Sequence, residues 1–244
     1  MTTFTSVGGT DPFLHVSMRR GDRIYCESNA MVMMEDTLEL KGKLQGGFLQ
    51  ALARTFANDE SLFQQHIEAV HGDGDCLLSP NLDGDIQIMD VGARQYMLSD
   101  GAFVAATSGV DVRARMNTGI GNALFGGTGG FLVMATSGQG QLVVSGFGSL
   151  FELDVVPGKD TIIDNGHVVC WDSTLQYELS TSTQRSGGLL GSLVNSVTGG
   201  EGLVLRFRGA GKVVVCSRNR ANYLTWLTSK LGGGRSSSGN SFFE

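Results

Sequence analysis

A polar turn followed by four apolar residues occurs three times in this sequence. The three copies are Ser28-Asn29-Ala30-Met31-Val32-Met33-Met34, Asp100-Gly101-Ala102-Phe103-Val104-Ala105-Ala106 and Asn165-Gly166-His167-Val168-Val169-Cys170-Trp171, and they align without a gap. Turns of the Asn-Gly and Asp-Gly type favour positive φ and reverse the chain between strands. The pattern therefore predicts an all-β fold made of three diverged units.

Two further patterns recur around these turns. An alternating strand, with apolar and polar residues at period two, opens each unit at Phe13–Met18, Asp85–Met89 and Phe151–Val155. A Gly-x-Gly turn lies between two apolar strands later in each unit, at residues 72–74, 138–140 and 209–211. The predicted units span residues 13–80, 85–145 and 150–216, packed as one domain. We also expect Phe13–Met18 to complete the third unit, which would close the chain on itself.

The composition agrees with many short strands and tight turns. The chain has 244 residues, with 36 Gly against only 3 Pro, and 41% of its residues are hydrophobic. The net charge of −6 argues against a general nucleic-acid binder, which usually carries a basic face. The four cysteines form no Cys-x-x-Cys pair, and the N-terminus shows no export signal, so we expect a cytoplasmic protein with reduced thiols.

Each unit carries a glycine-flanked insert between strands, and the sequence of the insert varies from unit to unit. The first insert, residues 46–56, has the apolar spacing of a short amphipathic helix, and the other two are rich in glycine. If the units are related by symmetry, the inserts share one face, which is a candidate interaction face. Its residues are Phe48, Leu49, Leu52, Leu124, Phe125, Leu189, Leu190 and Leu193. We expect residues 230–244, rich in Gly and Ser, to form a flexible tail.

No catalytic constellation is visible in the sequence. His66 and His71 lie on a predicted strand at a spacing that points them to opposite faces, and so do His167 and Cys170. The acidic turns at residues 73–75 and 83–85 lack the spacing of an EF-hand loop. We therefore expect no enzyme activity, no catalytic, metal or cofactor-binding residues, and no cofactor.

Several segments resemble those of a known family. They are Arg20-Gly21-Asp22, Glu27-Ser28-Asn29-Ala30-Met31-Val32, Thr198-Gly199-Gly200-Glu201-Gly202-Leu203-Val204 and Gly209-Ala210-Gly211. The resemblance is to bacterial relatives of the mitochondrial-biogenesis protein altered inheritance of mitochondria 24. It implies a triplicated double-stranded β-helix unit, similar to the trp RNA-binding attenuation protein, arranged as a pseudo-threefold β-prism. The family has no established enzymatic activity, so no catalytic residue carries over.

Three functional hypotheses follow from the sequence. The first is a non-enzymatic scaffold or interaction protein that contacts a protein partner, another copy of itself or a membrane surface through the insert face. The second is a β module that binds a small ligand or nucleic acid, and it rests on a basic cluster near the C-terminus: Arg206, Arg208, Lys212, Arg218 and Arg220. The third, a cupin-like metal enzyme, has the least support because few histidines are available.

Overall fold

The computed structural model describes residues 1–42, 65–116, 132–180 and 203–231. The strands are β1 (Thr3–Val7), β2 (Phe13–Met18), β3 (Arg23–Cys26), β4 (Met31–Met34), β5 (Leu38–Gly42), β6 (Gln65–Ala69), β7 (Gly74–Leu78), β8 (Gly84–Val91), β9 (Tyr96–Ser99), β10 (Phe103–Thr107), β11 (Val110–Met116), β12 (Leu132–Gly138), β13 (Gly140–Phe147), β14 (Leu150–Val155), β15 (Thr161–Asp164), β16 (Val168–Asp172), β17 (Gln176–Ser180), β18 (Val204–Arg208) and β19 (Gly211–Cys216). A 3-10 turn covers Asn165–His167, and one α-helix, α1, covers Arg220–Leu231. These elements confirm the predicted all-β class.

The strands after β1 fall into three consecutive sets of six with the same pairing. The first set is β2–β7, the second β8–β13 and the third β14–β19. In each set the first, sixth and third strands lie side by side, as in β2-β7-β4. The fourth, fifth and second strands form another antiparallel group, as in β5-β6-β3. Each set therefore contributes two three-stranded groups of strands.

Neighbouring sets share their sheets. The second strand of one set pairs antiparallel with the third strand of the next: β3 with β10, and β9 with β16. These two junctions produce two six-stranded sheets, ordered β5-β6-β3-β10-β13-β8 and β11-β12-β9-β16-β19-β14. A four-stranded sheet, β1-β2-β7-β4, and a three-stranded sheet, β15-β18-β17, lie at the two ends of this series.

Three clusters of buried side chains form the core, and each draws on two sets. The first core joins residues of β2–β7 to Val104 and Ala105 of β10. The second core joins residues of β8–β13 to Val169 and Cys170 of β16. The third core surrounds Trp171 and also contains side chains from β9 and β12 of the second set. Burial thus ties each set to its neighbour, because no set encloses a core alone.

The expected closure of the chain through Phe13–Met18 is wrong. This segment is β2, which pairs with β1 on one side and with β7 of its own set on the other. The first position of the third set is occupied by β14, which pairs with β19. The predicted unit boundaries and the threefold prism stay predictions.

Helix α1 is an element that the sequence analysis did not predict. It begins at Arg220 and ends at Leu231, so it includes Lys230, where the predicted tail begins. The rest of that tail and the predicted helix at residues 46–56 lie outside the described residues. Within the described ranges, no helix combines the length and the apolar character needed to span a membrane.

Candidate interaction surface

The eight predicted interaction residues all lie outside the described parts of the chain. They are Phe48, Leu49, Leu52, Leu124, Phe125, Leu189, Leu190 and Leu193. The inserts follow β5, β11 and β17, which are the fourth strands of their sets. The insert face therefore stays a prediction.

The four thiols are poor candidates for nucleophiles. Cys26, Cys76, Cys170 and Cys216 are all free and buried. Burial raises the pKa of Cys26 and of Cys76 to about 12, and it also raises the pKa of the other two. A nucleophilic cysteine needs a thiolate, and this environment disfavours the thiolate at neutral pH.

Two of the three histidines considered for chemistry, His71 and His167, are engaged elsewhere. The imidazole Nδ1 of His167 lies 2.8 Å from the carbonyl oxygen of Cys216, whereas the thiol of Cys170 contacts the sulfur of Met89 at 3.6 Å. His71 lies 3.0 Å from the carboxylate of Glu39. His167 and Cys170 thus do not form a nucleophile–base pair.

The described residues contain no group of three His, Cys, Asp or Glu side chains placed to hold a metal ion. In the first acidic turn, the carboxylate of Asp73 accepts the backbone N–H of Arg20 at 2.8 Å. In the second, Asp83 and Asp85 line a cleft of about 690 Å³ together with Asp11 and Arg218. The first turn is therefore explained by its hydrogen bond, and the second is an open polar cleft.

The structure divides the basic cluster into two groups. Arg206 and Arg208 lie 3.4 and 3.1 Å from the carboxylate of Asp160, and Lys212 forms an ion pair with Glu152. Their charge is therefore largely neutralised within the protein. The second group consists of Arg220, the first residue of α1, and Arg218, two residues before it. Binding to a phosphate backbone depends on cations that neutralise phosphates, and the first group is already paired with carboxylates of the protein.

Helix α1 carries the most conspicuous exposed apolar surface near the C-terminus. Its exposed apolar side chains are Tyr223, Leu224, Trp226 and Leu231, and Trp226 alone is 55% exposed. The rings of Tyr223 and Trp226 stack with centroids 6.0 Å apart. Clusters of exposed aromatic and aliphatic side chains are typical of interaction sites.

Two contacts hold α1 against the strands. The ring of Tyr223 meets Phe147, at the end of β13, edge to face at 5.1 Å. The guanidinium of Arg218 lies 5.6 Å from the centroid of the same phenyl ring. The side-chain oxygen of Asn219 accepts the N–H of Asn222 at 3.2 Å and caps the helix. The helix is therefore anchored by its first turn, which leaves the later apolar residues free to contact a partner.

The sequence did contain signals for this helix. Asn219 is a favourable N-cap, Gly232 follows the last helical residue, and Tyr223, Leu224, Leu227 and Leu231 have helical spacing. The signal is weak because the opposite face carries Thr225, Thr228 and Ser229 where charged residues would mark a polar face. The two faces of the helix therefore differ little in polarity. The sequence analysis ends the third unit at residue 216 and begins the flexible tail at residue 230, and it assigns no element to the residues between them.

Fold and surface together define a β protein of shared sheets whose described part ends in a helix, α1, with several exposed apolar side chains. The sequence profile of the family described as mitochondrial biogenesis AIM24 matches residues 4–218, nearly all of the strands. The chain therefore belongs to the AIM24 family, which confirms the resemblance seen in the sequence. The match ends before α1 begins.

Two relatives come from Streptococcus pyogenes. The chain is 33% identical over 214 residues to the uncharacterized protein M6_Spy0233 of serotype M6, covering 85% of this chain and 82% of that protein. It is also similar to the crystal structure of protein SPYM3_0169, with a TM-score of 0.77 and 29% identity, covering 94% of this chain and all of the other. Neither description states an activity.

Proposed function

We propose that this protein is a non-enzymatic interaction protein that lies on a lipid bilayer surface through α1. The observation that carries the proposal is the group of exposed apolar side chains on that helix, of which Trp226 is the largest. A helix that lies in the membrane interface exposes Trp, Tyr and Leu side chains, and their rings sit at the level of the lipid headgroups. Helix α1 offers this chemistry on an element anchored to a folded domain.

The charge of the helix is compatible with this position. Its only ionisable side chains with a full charge at neutral pH are Arg220 and Lys230, and it carries no carboxylate. Arg220 interacts with Glu27 and lines a cleft with Asp100, so Lys230 is the main cation available to lipid phosphates. We therefore expect apolar insertion to dominate binding, with a small additional preference for anionic lipid and weak dependence on salt.

The proposal includes the absence of catalysis, a cytoplasmic location and the finer architecture. Buried, high-pKa thiols support a reducing compartment and a non-nucleophilic role. The threefold recurrence of one strand pairing supports tandem units of the double-stranded β-helix type, similar to the trp RNA-binding attenuation protein. In this interpretation the sheets form a rigid scaffold that presents α1.

Vesicle co-sedimentation tests the membrane contact. We expect the intact protein to sediment with phosphatidylcholine vesicles and slightly more with vesicles that also contain phosphatidylglycerol. Trp226→Ser should weaken binding about tenfold, because it removes a large side chain from the lipid. Phe151→Ser is the matched control, since Phe151 is 66% exposed on β14 but does not belong to the helix.

Fluorescence gives a second measurement on the same samples. The chain contains two tryptophans, and Trp171 is buried, so a blue shift on adding vesicles would report Trp226. The shift should disappear in Trp226→Phe, which keeps an apolar ring and so keeps most of the binding. Wild-type protein that stays in the supernatant with both vesicle types would overturn the membrane contact, as would unchanged binding of Trp226→Ser.

The same assay tests the face predicted from the sequence. Phe48→Asp, Leu190→Asp and Leu193→Asp each place a charge on an insert, where it would oppose lipid or protein contact. If the inserts bind the membrane, these variants should lose sedimentation while Trp226→Ser keeps it. The opposite result would assign binding to α1 and leave the inserts without that role.

A further inference from the structure

Two strands lack the pairing that joins neighbouring sets. Each internal junction joins the second strand of one set to the third strand of the next, as β3 joins β10 and β9 joins β16. The remaining second strand is β15 and the remaining third strand is β4. In the described structure β4 is the outermost strand of its sheet, and so is β15.

All three third strands share a register irregularity, which in β10 and β16 divides the side chains between two cores. The register of pairing to the sixth strand shifts in β10 between Phe103 and Ala105, and in β16 between Val168 and Cys170. In β10, Phe103 packs into the core of its own set, but Val104 and Ala105 pack into the core of the preceding set. The register shift therefore places two consecutive side chains in the core of the preceding set.

Strand β16 repeats this division. Val169 and Cys170 pack into the second core, which belongs to the preceding set, whereas Val168 and Trp171 pack into the third. All four side chains are buried. The two internal junctions thus use the same two positions of the third strand for the same purpose.

Strand β4 has the same irregularity but no preceding set. Its register shifts between Met31 and Met33, and Met31 and Met34 pack against the first core. The two side chains that would enter a preceding core are Val32 and Met33. They are 52% and 41% exposed, although their counterparts at both internal junctions are buried. Their exposure follows from the missing neighbour.

Strand β15 lacks the partner that the other second strands have, which is the third strand of a following set. Ile162 occupies the position of Met97 in β9; Met97 is buried against β16, but Ile162 is 37% exposed. Natural edge strands are usually protected by Lys, Pro or inward-pointing charges. Strand β4 reads Met-Val-Met-Met and β15 reads Thr-Ile-Ile-Asp, so neither has a lysine or a proline.

We propose that β15 of one copy pairs with β4 of a second copy and repeats the internal junction between molecules. The registers of β3–β10 and β9–β16 agree with each other and define the new one. Met33 would lie opposite Ile163, Met34 opposite Ile162, and Glu35 opposite Thr161. Val32 and Met33 would then enter the third core of the neighbouring copy.

A second copy is favoured over an unrelated partner because the complementary surface already exists in this chain. Strands β4 and β15 of one molecule do not pair with each other in the described structure. The contact is head to tail, so each added copy leaves one β4 and one β15 open. Such a contact extends until the rotation closes a ring, or continues as a filament.

Cysteine pairs test the register between copies. Antiparallel partners directly opposite each other have Cα separations that a disulfide can bridge, whereas partners displaced by two residues do not. Mixing Met33→Cys with Ile163→Cys, or Glu35→Cys with Thr161→Cys, should give disulfide-linked dimers under mild oxidation. Met33→Cys with Thr161→Cys, and Glu35→Cys with Ile163→Cys, are matched controls that use the same four variants and should give little dimer.

The native thiols are buried and of high pKa, so they should not contribute to this cross-linking. Equal cross-linking of matched and mismatched pairs would overturn the proposal. A disulfide formed within one chain of a Met33→Cys, Ile163→Cys double variant, with no dimer, would also overturn it and show closure of a single molecule.

Sedimentation velocity of the intact protein provides an independent test. We expect wild-type protein to form larger species as its concentration rises. Val32→Lys should shift this assembly to at least tenfold higher concentration without lowering the melting temperature, because Val32 is exposed in the single chain. A wild-type protein that stays monomeric throughout, or assembly unchanged by Val32→Lys, would contradict the head-to-tail pairing.

Discussion

Gly84 brings the backbone at the start of β8 into contact with the turn that precedes β14. A Cβ at this position would overlap the carbonyl oxygen of Gly146 and lie 2.6 Å from the nitrogen of Gly148. The φ of Gly84 is 152°, a value that side chains of L-residues rarely adopt. The next residue, Asp85, donates its N–H to the carbonyl of Gly148 at 2.8 Å. Glycine is required here for both space and conformation.

Replacing this glycine should therefore loosen the pairing of β8 with β13 and the turn that leads into the third set. We expect Gly84→Ala to lower the free energy of unfolding by about 3 kcal/mol, from overlap and backbone strain together. Urea denaturation followed by circular dichroism measures the change. Gly9→Ala is the control, because a Cβ there would meet nothing within 4 Å, and we expect a change within about 0.5 kcal/mol. Equal effects of the two substitutions would contradict this role.

At the scale of elements, the third strand of each set performs two tasks. In β10 and β16, part of the side chains pack into the core of the strand's own set, and two consecutive side chains pack into the core of the preceding set. Ala105 is completely buried at such a junction, whereas Met33, at the equivalent position, is exposed on β4. The size of the side chain at this position is therefore restricted only where a neighbouring set is present.

Two enlargements of similar chemistry should consequently differ in effect. Ala105→Leu adds three carbons to a filled core and should cost about 1–3 kcal/mol of unfolding free energy. Met33→Phe, which also adds three heavy atoms, should change it by less than about 0.5 kcal/mol in dilute protein, since its surroundings are open. Thermal unfolding at low protein concentration compares the two variants. If Ala105→Leu left the free energy of unfolding unchanged, the junction would have to accommodate a larger side chain, which would contradict its close packing.

At the scale of the whole molecule, no strand set is structurally independent. Both six-stranded sheets take strands from two sets, and the first and second cores include side chains from the set that follows. Losing one set would expose the buried face of its neighbour. The domain should therefore unfold in a single cooperative transition and not one set at a time.

Calorimetry provides the measurement for this expectation. Dilute protein should show a single transition whose calorimetric and van't Hoff enthalpies agree. Val104→Ala, which removes two methyl groups from the first junction, should move that single transition to lower temperature without dividing it. Two or three resolved transitions, or a variant that splits the peak, would show that the sets unfold separately.

The sequence predicted the strands well and their partners less well. Alternating patterns and Gly-x-Gly turns located β2, β8 and β14 and the pairs of strands around each turn, because these signals depend on neighbouring residues. The expected closure through Phe13–Met18 was wrong, since apolar alternation does not specify which distant strand is paired. Helix α1 was missed because its Thr and Ser residues weaken the contrast between its faces.

By itself, the sequence determined the all-β class, the family and the recurrence of one pattern, since periodicity and turn chemistry are local properties of the chain. Only the tertiary structure decided that Val104 and Val169 are buried while Val32, at the same place in the pattern, is exposed. That difference depends on whether a neighbouring set stands against the strand. Burial is a property of the assembled surfaces, so the open strands β4 and β15 become visible only when all three sets are in place.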